Sequence, residues 1–326
     1  MANIFILGCG FGTALAVLWN KAGHAVTAYS KFAAEIESIK TEREHKKLLP
    51  GIAIPDGIDF TRDITKAGKA DIIVFAVPSK FIGQAVADAA PHISSGAVGV
   101  NVSKGLDERG ERLSQVIASH LPAMPIVVLT GPCHAEEVGR GNPTTVVAAS
   151  RDKRAAEYVQ TTLQTKSFRI YKNDDMVGCE LGGALKNPIA LCCGIASGMG
   201  LGDNATAALM TRGLAEIKRL GVALGANWQT FSGLAGVGDL IVTCTSQHSR
   251  NYRAGRLIGQ GVDAKEAVSQ TGTVEGYECV KIALRLAEEK GVDVPIFEQL
   301  YKICYRNLPP GDALRDLMER PQKDEL

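Results

Sequence analysis

Hydrophobic and polar positions are arranged differently in the two halves of the chain. The first half alternates short apolar runs with longer amphipathic ones. Residues 3–7, 24–29, 71–77, 98–102, 126–130, 144–149 and 168–171 are rich in Val, Ile and aromatic residues and are expected to be strands. The run at 71–77 (Asp-Ile-Ile-Val-Phe-Ala-Val) is almost wholly apolar, as a strand buried on both faces of a parallel sheet must be, and Pro78 stops it. Residues 13–21 carry a helical apolar stripe, and another helical segment lies between 102 and 126. Strand–helix alternation of this kind implies right-handed crossovers and a doubly wound, mostly parallel α/β sheet.

After about Asp174 the period changes. Helical patterns cover 180–197, 204–224, 229–234, 250–260, 274–290 and 296–306, and a short one at 312–318 follows Pro309-Pro310-Gly311. The expectation is an α/β domain over 1–178 and an all-helical domain over 179–326. No Pro/Ser-rich linker separates them, so the join is expected to be a packed interface.

The chemistry gathers at the ends of these elements. Residues 3–7 run into Gly8-Cys9-Gly10-Phe11-Gly12, a glycine turn between a strand and a helix. In a dinucleotide fold the first Gly makes the turn, the second admits the pyrophosphate and the third lets helix and strand pack closely. Gly8 and Gly10 fit the first two roles. Gly12 comes one residue early, and Thr13 stands where Gly or Ala is expected. The second strand ends in Tyr29-Ser30-Lys31 with no acid to hold a ribose diol, so Lys31 favours NADP(H), with NAD(H) left open. Val77-Pro78-Ser79, Ser103-Lys104-Gly105-Leu106 and Gly131-Pro132-Cys133-His134-Ala135-Glu136 follow other strands, where ligands of open α/β sheets bind. Lys104 is thereby placed toward a nicotinamide or a substrate, whereas a lone His134 at a helix start reads as a bystander. In the helical half Lys186-Asn187, Gly236-Val237-Gly238-Asp239 and Ser249-Arg250-Asn251 supply a lysine that can share protons, an acid to orient it and an arginine to hold a phosphate.

Composition narrows the classes. At 45% hydrophobic and 22% charged, with net charge +1, the 326 residues read as a globular protein with no bias toward nucleic acid or an anionic membrane. No apolar stretch reaches the length of a membrane span. Eight scattered cysteines without a C-x-x-C pair read as buried thiols of a reducing compartment, and no metal site is expected. The chain opens on a strand pattern with no leader-like segment, so a cytoplasmic location is expected and the Lys-Asp-Glu-Leu ending is taken as coincidence.

Read in order, Gly-x-Gly…Gly12-Thr13-Ala14-Leu15-Ala16, Val77-Pro78-Ser79, Ser103-Lys104-Gly105-Leu106, Gly131-Pro132…Ala135-Glu136-Glu137-Val138, Glu180-Leu181-Gly182-Gly183-Ala184-Leu185-Lys186-Asn187, Gly233-Leu234-Ala235-Gly236-Val237-Gly238-Asp239-Leu240 and Ser249-Arg250-Asn251 resemble the bacterial-type NAD(P)-dependent sn-glycerol-3-phosphate dehydrogenases over nearly the whole chain. The resemblance implies a Rossmann domain and an all-α domain of the 6-phosphogluconate dehydrogenase-like type. It implies reversible reduction of dihydroxyacetone phosphate to sn-glycerol 3-phosphate, supplying glycerophospholipid synthesis. Lys186 matches the proton donor and acceptor, with Asp239 and Lys104 beside it. Gly131, Cys133, Thr243, Ser249, Arg250 and Asn251 match the substrate shell. Gly8, Gly10, Phe11, Gly12, Lys31, Pro78, Lys104, Ala135, Arg250 and Glu275 match cofactor contacts. A homodimer would use the helical half. The chain departs from the family's usual pattern in three places: a residue is missing between Gly10 and Gly12, Cys133 replaces a serine, and Leu48-Leu49-Pro50-Gly51 lacks an aromatic. Two rival readings stay open, a related β-hydroxyacid or 6-phosphogluconate-type dehydrogenase and a non-catalytic dinucleotide sensor.

Overall fold

The structure is a computed structural model that describes residues 1–322, 324 and 325; Lys323 and Leu326 of the charged ending lie outside the described residues. The N-terminal half is built on an eight-stranded sheet. Its strands are β1 (Asn3–Leu7), β2 (Ala25–Tyr29), β3 (Ile58–Thr61), β4 (Ile72–Phe75), β5 (Val98–Asn101), β6 (Ile126–Thr130), β7 (Thr144–Ala149) and β8 (Phe168–Asn173), in the spatial order β3-β2-β1-β4-β5-β6-β7-β8. Neighbours run parallel except β6 and β7, which are antiparallel. The chain winds outward from β1 to β3 and then resumes on the other side at β4. That reversal opens a crevice beyond the carboxyl ends of β1 and β4. Ile4 and Ile6 face one core, and Phe5 and Leu7 the opposite one, the period of two that buries a central strand on both faces. The helices of this half are α1 (Phe11–Lys21), α2 (Ala33–Glu42), α3 (Ile82–Ala89), α4 (Leu113–His120), α5 (Ala135–Arg140) and α6 (Lys153–Leu163).

Two features of this half differ from the sequence expectation. The four-residue edge strand β3 was not expected, because Ile-Asp-Phe-Thr is too short to display a period. Helix α1 starts at Phe11 rather than Thr13, so the shortened glycine turn is absorbed by beginning the helix early.

From Met176 onward the structure is helical: α7 (Met176–Gly198), α8 (Asp203–Ala223), α9 (Asp239–Thr245), α10 (Arg250–Gly259), α11 (Ala264–Thr271), α12 (Glu275–Lys290), α13 (Pro295–Arg306) and α14 (Pro310–Met318). The helix expected over 229–234 is instead a 3-10 turn, Trp228–Ser232, followed by a π turn, Leu234–Gly238. Gly233, Gly236 and Gly238 weaken a regular helix there. Helix α7 is buried along most of its length and forms the axis of this half. Pro188 interrupts its ladder, since it has no N–H for the carbonyl of Ala184, and the Cys279 thiol of α12 reaches that carbonyl at 3.5 Å. Glycines bring α7 and α10 together. A Cβ on Gly194 would lie 2.9 Å from Gly255 Cα, and one on Gly198 2.9 Å from Gly259 Cα. This close approach sets the N-terminus of α10 beside the middle of α7. Among the described residues, no helix is long and apolar enough to cross a membrane.

Candidate active site

Lys186 projects from the middle of α7 into the join between the halves and is only 4% exposed. Its ammonium donates to Asp239 Oδ1 and, at 2.7 Å, to Thr243 Oγ1. A longer contact of 3.5 Å reaches the Asp239 carbonyl. Thr243 donates its own proton to that same carbonyl at 2.6 Å, so its lone pairs are what Lys186 meets. Asp239 and Thr243 are four residues apart on α9 and therefore share a face. Lys104 enters from the sheet, just beyond β5. Its Nζ lies 2.9 Å from Asp239 Oδ2 and donates to the Gly131 carbonyl at 2.8 Å. Two ammonium groups thus share one buried carboxylate.

This sharing sets the electrostatics. Burial lowers the Lys186 pKa, Asp239 opposes the fall, and the like charge of Lys104 adds to it, leaving the amine at about 8. Sequence alone leaves that sign open. Lys104 is also pushed down by burial, but the charge of Asp239 outweighs this and raises it. Lys186 is therefore the member of the pair that can exchange a proton near neutrality.

At the other end of the cleft Ser249 caps α10, its hydroxyl accepting from the Tyr252 amide at 3.2 Å. Arg250 is exposed, and the charges of Glu275 and Glu136 act on its guanidinium. Asn251 is buried; it donates to Asn187 Oδ1 at 3.0 Å and accepts from the Gly276 amide at 2.8 Å. The glycine contacts between α7 and α10 are what allow that Asn–Asn bond. A guanidinium next to a helix N-terminus suits a dianion.

The glycine turn lies at the crevice. Gly8 has φ +106°, and a Cβ there would come within 2.6 Å of the Ala76 carbonyl. Gly10 is open: a Cβ would meet only Leu48 Cδ1, at 3.8 Å. Gly12 packs on β1, where a Cβ would sit 2.7 Å from Ile6 Cγ2. Thr13 stands at the usual place of the third glycine, but Gly12 fills that packing role one residue early. Thr13 instead turns inward and donates to the Cys9 carbonyl at 2.5 Å. The turn therefore keeps both a tight corner and an open backbone, and its residues fit a dinucleotide. Phe11 opens α1, Lys31 is exposed with its ammonium 5.5 Å from the Phe32 ring, and Pro78 precedes the buried Ser79. Glu275, at the start of α12, accepts from Ser79 Oγ at 2.5 Å and from its amide at 3.3 Å. Burial raises its pKa, and the Ser79 bonds resist.

The model of the NAD-dependent glycerol-3-phosphate dehydrogenase N-terminus matches residues 3–156, and that of the C-terminus matches residues 175–315. The chain belongs to the NAD-dependent glycerol-3-phosphate dehydrogenases. It is similar to glycerol-3-phosphate dehydrogenase [NAD(P)+] of Desulfitobacterium hafniense, 47% identical over 100% of this chain and 94% of that protein. The counterpart from Pelotomaculum thermopropionicum is 48% identical over 99% of this chain and 95% of its own length. The crystal structure of the Coxiella burnetii glycerol-3-phosphate dehydrogenase superposes with a TM-score of 0.94 at 35% identity, covering 98% of this chain and 99% of that one. A D-mandelate dehydrogenase, 14% identical with a TM-score of 0.65, shares the fold alone.

Against the usual pattern of these dehydrogenases, Cys133 is the departure nearest the two lysines. Its Sγ lies 3.5 Å from Lys104 Nζ and donates to the Gly131 carbonyl at 3.1 Å, and burial raises the thiol pKa. Gly131 has φ +135°, and Ala135 opens α5 on the same loop. Three site-shaping residues stand inside the sequence motifs without a role of their own there. Ser79 holds Glu275, Asn187 holds Asn251, and Glu180 accepts from Arg112 at 2.8 Å, from the Ser114 amide at 2.8 Å and from the Ser114 hydroxyl at 2.6 Å. An acid in an otherwise apolar helix start is the physical signal that points to Glu180.

Proposed function

We propose that the chain interconverts dihydroxyacetone phosphate and sn-glycerol 3-phosphate with Lys186 as the proton donor and acceptor. The observation that carries this reading is a buried amine, held at about 8 between a carboxylate and a second ammonium. The dinucleotide is held at Gly8, Gly10, Phe11 and Gly12, with Lys31, Pro78, Ala135 and Glu275 around it. When bound, its nicotinamide supplies or accepts the hydride. Lys186 as ammonium hydrogen-bonds the ketone oxygen and protonates it as charge develops; as amine it takes the hydroxyl proton back. The substrate oxygen replaces the weakest of its three bonds, the 3.5 Å contact to the Asp239 carbonyl. Asp239 and Thr243 hold Lys186 in place, and Lys104 adds positive charge beside the same oxygen. Arg250, Ser249 and Asn251 take the phosphate, with Gly131 and Cys133 closing the opposite wall. Phosphate binding away from the reacting carbon orients the ketone.

Lys31 and the lack of an acid after β2 support NADP(H) over NAD(H). A role in supplying glycerophospholipid synthesis in the cytoplasm belongs to the same reading and rests on the resemblance. Absorbance at the nicotinamide band, followed with dihydroxyacetone phosphate and either NADH or NADPH, tests the activity and the preference together. Lys186→Ala is expected to abolish turnover while cofactor fluorescence still reports binding. Wild-type rates in that variant would end the assignment.

A further inference from the structure

His134 lies outside the machinery described so far. It is the N-cap residue of α5, directly after Cys133, and its ring reaches across the join between the halves. Its Nε2 stands 3.3 Å from the carbonyl of Val242 in α9. That carbonyl is among the last four of its helix, whose backbone turns extended at Ser246 (φ −92°, ψ 135°) and so brings no further N–H to it. The imidazole supplies the donor. A carbonyl can only accept, so the proton is on Nε2. Burial holds the ring below its ordinary pKa, and the charges of Lys186 and Lys104 add to this. On its outer side the ring faces His248 at 5.9 Å between centroids, and His248 pairs with Glu136 at 3.6 Å.

Leu240 and Cys244 bury this segment in the core of the helical half, and toward the sheet domain Lys104 on Asp239 and His134 on Val242 are its polar ties. Helix α9 has seven residues, no side-chain N-cap and a π turn before it, and Ile241 on its outer face is 48% exposed. Yet it carries both groups that grip Lys186. Val242 immediately precedes Thr243, and Thr243 is bonded to both the Lys186 ammonium and the Asp239 carbonyl. We propose that His134 is a positioning residue for the proton transfer: by bonding the Val242 carbonyl it fixes α9 against the sheet domain, and so keeps Thr243 and Asp239 in register with Lys186. This rests on the function proposed above.

The test uses His134→Phe, which keeps a ring without the donor, and His134→Gln, which keeps an N–H of similar reach. Three quantities are measured: kcat and KM for dihydroxyacetone phosphate, NADPH affinity by fluorescence, and the pH profile of kcat. His134→Phe is expected to lower kcat about tenfold, about 1.4 kcal/mol on the activation barrier and the worth of one hydrogen bond. KM and cofactor affinity should stay within about twofold of wild type. The high-pH limb should move to lower pH, because a loosened Asp239 no longer supports the ammonium, and His134→Gln should restore rate and limb together. An unchanged kcat in His134→Phe overturns the proposal. So does a loss that merely tracks the folded fraction with the limb in place, or a His134→Gln as impaired as the phenylalanine variant. If His134→Phe does not fold, the same readings from His134→Leu decide. Absence of turnover in the wild type would instead sink the function itself, so the two failures are distinct.

Discussion

Lys186 keeps a charge in a place where charge is costly. A lysine so deeply buried would lose its proton, and the Asp239 carboxylate limits that fall to about 8. The sign of the pH dependence follows. Reduction needs the ammonium, so kcat for dihydroxyacetone phosphate is expected to fall as pH rises through about 8, while kcat for the reverse oxidation rises over the same window. In Asp239→Asn the supporting charge is gone, and both limbs should move to lower pH; limbs that stay put in a pH–rate profile would show that another group titrates. Arg250 gives a second prediction at this scale. Arg250→Ala should lower kcat/KM for dihydroxyacetone phosphate roughly 10- to 100-fold, the worth of one charged hydrogen-bonded contact. With unphosphorylated dihydroxyacetone the loss should be under about threefold, because the arginine then has no dianion to grip. Equal losses on both substrates would remove Arg250 from the phosphate site. These residues were readable from sequence because each is a polar group set in an apolar, helix-prone stretch. The roles of Asn187, Ser79 and Glu180 were not, because a polar side chain inside a motif has no assigned work until its partner is known.

At the scale of elements, long-range contacts place the site. The Gly194/Gly198 and Gly255/Gly259 pairs let α10 approach α7, and Pro188 leaves a carbonyl that α12 takes up through Cys279. Helix α13 is fixed from outside its own sequence: Glu216 of α8 accepts from the amides of Ile296 and Phe297 at its start. Burial raises the Glu216 pKa from 4.5 to about 7, against the pull of those amides. A folded-state pKa above the unfolded value gives stability that is full below about 4.5 and lost as pH rises through about 7. The wild type is therefore expected to lose on the order of 3 kcal/mol relative to Glu216→Gln between those limits. Denaturant melts at pH 4.5, 6 and 7.5 would show it, and parallel curves for the two proteins would remove Glu216 as the cause. Periodicity located the long helices to within a few residues. It missed α9, a seven-residue helix entered through glycines, because two turns do not establish a period.

Across the whole molecule, the two halves are joined by polar pairs around the cleft as well as by apolar packing. Ser79 with Glu275, Lys104 with Asp239, and Arg112 and Ser114 with Glu180 each link the sheet domain to the helices. The Glu180 cluster is buried, and Glu180→Ala would leave Arg112 and the Ser114 amide without their acceptor. Removing one member of a buried pair costs about 3–5 kcal/mol. Calorimetry of Glu180→Ala should show a lower transition, and the sheet and helical halves should melt apart. A single transition at the wild-type temperature would mean that the cluster does not couple them.

The sequence by itself determined the class of each half and most of the chemistry. A strand buried on both faces must be apolar throughout, a helix at a domain surface must carry a stripe, and a buried lysine or a phosphate-binding arginine stands out against either. Tertiary structure alone decided how those groups act. Only folding brings Lys104 and Lys186, from opposite halves of the chain, onto the one carboxylate of Asp239, and the balance of burial against charge that tunes Lys186 depends on distances that no spacing along the chain encodes. The same holds for Gly12, whose place in the turn was settled by what it packs against, and for His134, whose partner lies 108 residues away on the other side of the cleft.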